Sequence, residues 1–112
     1  MDISQKKENR CFPRIEFRSK VHYQIRGKPD FDSAICNNIS CGGLRFSNER
    51  FIPTSTAIML EINVLNRVLR PIGKVAWSVP VAHSNRNQTG IQFVEFDALE
   101  KNYLRDFINL QL

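Results

Sequence analysis

Ile15-Glu16-Phe17-Arg18-Ser19-Lys20-Val21-His22-Tyr23-Gln24-Ile25 reads as one pattern. Ile15, Phe17, Val21, Tyr23 and Ile25 fall on one side. Glu16, Arg18, Lys20, His22 and Gln24 fall on the other, and only Ser19 interrupts the apolar side. A period of two sustained over eleven residues specifies a strand buried on one face. Gly27-Lys28-Pro29-Asp30 then breaks it with turn chemistry. A strand of this kind needs partners to cover its apolar side, and the following residues supply them.

Residues 33–39 form a second, shorter strand candidate. It ends where Asn37, Asn38, Ser40, Gly42 and Gly43 crowd into a turn. Leu44 and Phe46 begin a third strand, and residues 47–55, with Pro53, form a loop. Ile58, Leu60, Ile62 and Val64 alternate with Met59, Glu61 and Asn63, a fourth strand, closed by a tight turn at Asn66-Arg67. A long strand follows through Val75, Trp77 and Val79, interrupted at Pro71 and Gly73, where a bulge is expected. Trp77 shares a face with Val75 and Val79 in this reading, which assigns it to the core. Pro80 to Thr89 is a polar loop. On the last strand Ile91, Phe93 and Glu95 face one way and Gln92, Val94 and Phe96 the other.

The period then changes. Asp97 is an N-cap candidate with Glu100 three residues on, a capping-box spacing. Leu99, Tyr103, Phe107 and Leu110, with Leu104 and Ile108 beside them, form one helical face over about 97–110. The order is thus about six short strands and a helix, which indicates a small barrel or sandwich.

The 112 residues make one domain, with residues 1–9 expected as a mobile basic arm and residues 10–112 as the folded unit. The uncharged run Val75–Asn85 is too short and too polar for the roughly 20 apolar residues of a membrane span. The first ten residues, MDISQKKENR, carry no apolar run and do not read as a secretory signal. The formal charge is +5. Residues 1–28 hold eight basic and three acidic side chains, while residues 29–112 hold eight of each. The whole excess therefore sits in the first quarter, where it favours an anionic partner. The three cysteines, Cys11, Cys36 and Cys41, are an odd set expected as free thiols in a reducing compartment. Their spacing, with His22 and His83 remote, does not match a zinc site. No catalytic arrangement is visible, so a non-enzyme is expected.

Two local patterns stand out. Arg10-Cys11-Phe12-Pro13-Arg14 is an R-x-x-x-R ahead of the first strand. Asn38-Ile39-Ser40-Cys41-Gly42-Gly43 is an N-x-S-x-x-G, with twenty-three residues between Arg14 and Asn38. In these motifs and their spacing the chain resembles the PilZ family. Gly73-Lys74-Val75-Ala76-Trp77 looks like that family's G-x-V-x-W strand, and Gly90-Ile91-Gln92-Phe93 like its G-I-x-F strand. The resemblance covers roughly residues 9–108. It implies an all-β fold, a six-stranded antiparallel barrel of split-barrel type with a C-terminal helix. It also implies a cytoplasmic bacterial receptor for cyclic di-GMP that acts through an unidentified effector protein.

The residues suit that ligand. An arginine fork donates to guanine O6 and N7, pairs with phosphate and stacks on a base, as Arg10 and Arg14 would. Asn38 offers an acceptor and a donor to a base edge or sugar, and Ser40 a hydroxyl. Gly43 allows close backbone approach and positive φ, and Gly42 adds to that freedom. Arg18 and Arg45 are additional candidates. Two other readings fit the same residues: a PilZ-like protein-interaction module without ligand, and a nucleic-acid-binding barrel. The charge balance of the strands argues against DNA or RNA.

Overall fold

The computed structural model describes residues 13–112. Seven strands appear in chain order: β1 Ile15–Ile25, β2 Phe31–Ser40, β3 Gly43–Asn48, β4 Ala57–Val64, β5 Arg67–Leu69, β6 Ile72–Pro80 and β7 Asn87–Glu95. One helix follows, α1, at Ala98–Gln111. The strands pair antiparallel in the order β1-β2-β3-β7-β6-β4, and β4 returns to β1. That last pairing closes the sheet and removes its edges.

β5 does not add a seventh stave. It pairs with β4 at Ile62↔Leu69, and β6 pairs with the same strand at Met59↔Ile72 in the same register. Between them Leu60 N–H donates to the Pro71 carbonyl. One long partner strand is thus interrupted at Arg70-Pro71, where proline has no N–H for the ladder. The result is a closed six-strand antiparallel barrel with a C-terminal helix, as the sequence indicates.

Several boundaries differ from the expectations, and β3 runs on through Ser47 and Asn48 of the expected 47–55 loop. β2 is longer, because Phe31 and Asp32 extend the pairing to Gln24 and Tyr23. The turn expected at Asn66-Arg67 falls at Leu65-Asn66, with Arg67 opposite Val64. Leu65 there takes φ 58°, a left-handed conformation more usual for glycine. β7 starts at Asn87, within the expected loop, because Asn87 pairs with Asn48 on one side and Pro80 on the other.

The barrel interior is built from the alternation read in the sequence. Val21, Tyr23, Ile39, Leu44, Phe46, Ile58, Leu60, Ile62, Val75 and Ile91 are all buried. Tyr23 stacks on Phe46 with ring centroids 5.1 Å apart. The buried Tyr23 hydroxyl accepts from Asn48 Nδ2, and Asn48 Oδ1 accepts from Thr89 Oγ1. Asn48 Nδ2 also donates to the Arg50 carbonyl. This network satisfies polar groups that the core would otherwise strand.

Helix α1 begins at Asp97, whose carboxylate accepts from the Leu99 and Glu100 N–H groups. The capping box is half formed, because Glu100 Oε1 instead accepts from the Arg70 backbone N–H. The buried face is Leu104, Phe107 and Ile108. Phe107 meets Phe17 edge-on at 5.6 Å, and the Tyr103 hydroxyl donates to the Val64 carbonyl. Leu99 and Leu110, expected on this face, are exposed. They lie about 120–140° round the helix from the axis through residues 104, 107 and 108. A fully buried side chain contributes about 1.5–3 kcal/mol, so these three supply the main apolar contribution to docking the helix on the barrel.

Candidate functional site

The site is built on the outer wall of the barrel. Cross-strand partners lie side by side on one face of a sheet. Here one row runs across five strands: Glu16 opposite Asn38, Asn38 opposite Arg45, Arg45 opposite Gly90, Gly90 opposite Trp77. The next inner row is Ile39, Leu44, Ile91 and Val75, all buried.

Two bulges turn Asn38 and Trp77 into that outer row, and a further register shift, between Glu16 and Ser19, lies at its β1 end. On β2 the register shifts between Cys36 and Asn38, with Asn37 as the extra residue. Without it Asn38 would share the inward face of Cys36. On β6 the register shifts between Val75 and Trp77, with Ala76 as the extra residue. This overturns the assignment of Trp77 to the core. Val75 stays buried, but Trp77 is turned outward and is 41% exposed. One inserted residue reverses every later side chain on a strand.

Gly90 sets the position of the indole. A Cβ at Gly90 would lie 2.4 Å from both Cε2 and Nε1 of Trp77, so the ring rests on the bare backbone of β7. Arg14 reaches the row from the approach to β1. Its Nη1 donates to Asn38 Oδ1 at 2.7 Å. Arg14, Asn38, Ser40, Arg45, Trp77 and Gln92 are among the residues bordering a hollow of about 570 Å³. That volume falls within the roughly 300–1,000 Å³ of small-molecule sites.

The motif turn is held from within. The Ser40 hydroxyl is buried, accepts from the Gly42 N–H at 3.1 Å and donates to the Gly43 carbonyl. The hydroxyl thereby fastens the turn. The Gly42 carbonyl accepts from the Phe93 N–H, and Gly42 also borders the hollow. Gly43 does not use the positive φ expected of it. Its hydrogen faces β7, where a Cβ would lie 2.0 Å from the Ile91 carbonyl oxygen. Close approach of two strands is the reason for glycine here.

Beneath the β2 bulge, the Cys36 thiol donates to the Asn38 carbonyl. Burial pushes this thiol up to about 12, against smaller opposing effects from that hydrogen bond and from Arg14 and Arg45. It stays protonated and serves as a fixed donor. Cys41 faces α1, and burial raises its pKa against the pull of Lys101 and Arg105.

The structure thus gathers Arg14, Asn38, Ser40, Gly42 and Arg45 around one hollow, whereas Gly43 packs against β7 and does not border it. Arg10 lies outside the described residues. Arg18 is exposed on β1 and borders a neighbouring hollow. Sequence reasoning missed Trp77, Gly90 and Gln92 as site residues. Two strand signatures marked all three, but only the Ala76 bulge shows that they face outward beside the motif turn.

The closed antiparallel barrel thus carries arginine, amide and indole side chains close together on its outer wall. The PilZ domain family model matches residues 8–110, and the chain belongs to that family. No curated protein sequence matches it. Similar solved structures include the Bacillus subtilis inhibitor of motility MotI/DgrA, at 17% identity and a TM-score of 0.78. That match covers 91% of this chain and 51% of the other, so this chain spans about half the length of that relative. The PilZ domain of Escherichia coli YcgR with c-di-GMP matches at 13% identity, TM-score 0.70, and 91% of each chain. The Borreliella burgdorferi PlzA protein in complex with c-di-GMP matches at 14% identity and TM-score 0.65, over 95% of this chain and 43% of the other. No helix among the described residues is long and apolar enough to cross a membrane.

Proposed function

We propose that the protein is a cyclic di-GMP receptor that signals through a partner protein and is not an enzyme. The observation that carries this is the outer row itself. Arg14, Asn38, Arg45 and Trp77 offer two guanidinium forks, an amide and an aromatic face around one hollow. A ligand with two phosphates and two guanines needs those groups. Guanidinium serves phosphate and the O6/N7 edge, the amide serves a base edge, and the indole offers a stacking surface. Two of the similar structures hold the same ligand. The binding residues in this reading are Arg10, Arg14, Asn38, Ser40 and Gly43, joined by Arg45, Trp77 and Gly42.

In the same reading the segment carrying Arg10 closes over the bound ligand and creates a composite surface for the effector. Ordering such a segment costs conformational entropy, which its arginine contacts offset. The protein acts in the bacterial cytoplasm and has no nucleic-acid target.

Calorimetric titration with cyclic di-GMP, beside Arg14→Ala, tests the proposal. Saturable binding is expected, weakened about 5- to 150-fold in the variant, the worth of one bidentate arginine contact. Absence of binding by the wild type would leave a protein-interaction module in its place.

A further inference from the structure

Two charged side chains on this wall, Glu16 and Arg18, lie outside the main hollow. Glu16, Arg18 and Arg45 border a second hollow of about 350 Å³, together with Asn37 and Asn38. None of the three makes a hydrogen bond or ion pair among the described residues. Asn37, the bulge residue, carries a buried Oδ1 that no donor meets. The two hollows share Asn38 and Arg45. They therefore lie side by side on the outer wall, with Asn38 and Arg45 between them.

Glu16 and Arg18 are both exposed on β1, where the register against β2 shifts between Glu16 and Ser19, and both border this hollow. Among the described residues no ion pair joins this carboxylate to this guanidinium. Such a pair presents an acceptor and a donor fork to whatever enters between them. Guanine matches it edge for edge. Its N1–H and exocyclic N2–H₂ are adjacent donors, suited to a carboxylate, and its O6 and N7 are adjacent acceptors, suited to an arginine fork. Adenine places a donor amine where guanine has O6, and would set donor against donor at Arg18. A phosphate is a poor fit, because Glu16 repels it.

We infer that the Glu16–Arg18 hollow is a guanine subsite that receives one base of cyclic di-GMP. Glu16 accepts from N1–H and N2–H₂, and Arg18 donates to O6 and N7. Arg45 stands between the two hollows, where it faces the phosphate ring. This inference rests on the function proposed above and adds residues outside the two motifs, which gives the site a means of telling guanine from other purines.

The test is a calorimetric comparison of cyclic di-GMP with cyclic di-IMP, whose hypoxanthine bases lack the N2 amine. It is run on the wild type, Glu16→Gln, Arg18→Ala, Lys20→Ala and Arg14→Ala. Lys20 is another outward charge of β1, two residues beyond Arg18, and does not border the hollow. Arg18→Ala is expected to weaken cyclic di-GMP about 5- to 150-fold. Glu16→Gln is expected to weaken it and to narrow the preference over cyclic di-IMP at least about fivefold, one-base discrimination being of that order. Lys20→Ala should leave both ligands within about twofold. Glu16→Gln and Arg18→Ala binding like wild type, or Glu16→Gln binding tighter with the preference unchanged, would overturn the subsite. Continued loss in Arg14→Ala would then show that the receptor reading itself stands.

Discussion

The indole of Trp77 lies over Gly90, on the strand next to its own, so closely that a methyl group at Gly90 would fall inside the ring's van der Waals envelope. Gly90→Ala should therefore act as an overpacking substitution at a site rather than in the core. A stability loss of about 1–3 kcal/mol is expected, read as a fall in urea midpoint. Adding Trp77→Ala to Gly90→Ala should restore most of the stability, because the clash is gone, but not ligand affinity. Trp77 is the sole tryptophan, so its fluorescence also reports the site directly. Cyclic di-GMP should change its emission in the wild type. An unchanged spectrum at saturation would place the ligand elsewhere.

Arg14 already donates to Asn38, at 2.7 Å on an exposed surface. Replacing the amide by a carboxylate turns that bond into an ion pair and offers a charged acceptor to guanine N1–H and N2–H₂. Asn38→Asp is expected to tighten cyclic di-GMP binding about tenfold, close to 1.4 kcal/mol. Stability should change by less than about 1 kcal/mol, since the pair is solvated. Calorimetry and a denaturation curve on the same preparation separate the two effects, and weaker binding by the variant would contradict the expectation.

The Cys36 thiol gives the fold an alkaline limit. Its folded pKa is about 12 against an ordinary 9.0. The unfolded chain therefore loses this proton first, and stability present below pH 9 is lost as pH rises toward 12. At 1.36 kcal/mol per unit the loss is at most about 4 kcal/mol. Tyr23 is also raised by burial, chiefly through desolvation, and acts in the same direction. Urea midpoints measured from pH 8 to pH 11 should fall steadily, and Cys36→Ala should flatten the slope. A slope unchanged in the variant would assign the effect to Tyr23 and other groups.

The helix face can be tested by contrast. Leu104→Ala should cost about 2–5 kcal/mol, because it opens a cavity against the barrel. Leu99→Ser and Leu110→Ser should stay within about 0.5 kcal/mol, as exposed positions do. Asp97→Ala should cost about 1 kcal/mol through loss of the cap to Leu99 and Glu100 N–H. Thermal melts of the four variants check the set.

Much of this was legible in the chain itself. The alternation from Ile15 to Ile25 placed Val21 and Tyr23 inside, and Ile58 to Val64 behaves the same way. Asp97 was legible as a cap because a short carboxylate ahead of an apolar helical period has one favourable use. The failures share a cause. Trp77 was assigned to Val75's face, and Leu99 and Leu110 to the buried helix face, by extending an ideal period past the point where tertiary contacts reset it.

The sequence alone determined that about six short strands precede one helix, the interior alternation, and the two motifs that mark Arg14, Asn38, Ser40 and Gly43. These follow from local periodicity and from residue chemistry, which neighbours in the chain suffice to express. Only the tertiary structure decided that the Asn37 and Ala76 bulges turn Asn38 and Trp77 to one outer wall. It alone joined β5 and β6 into one stave and brought Gly90 beneath the indole. Register between strands distant in sequence is fixed by closure of the barrel, and no local pattern carries it.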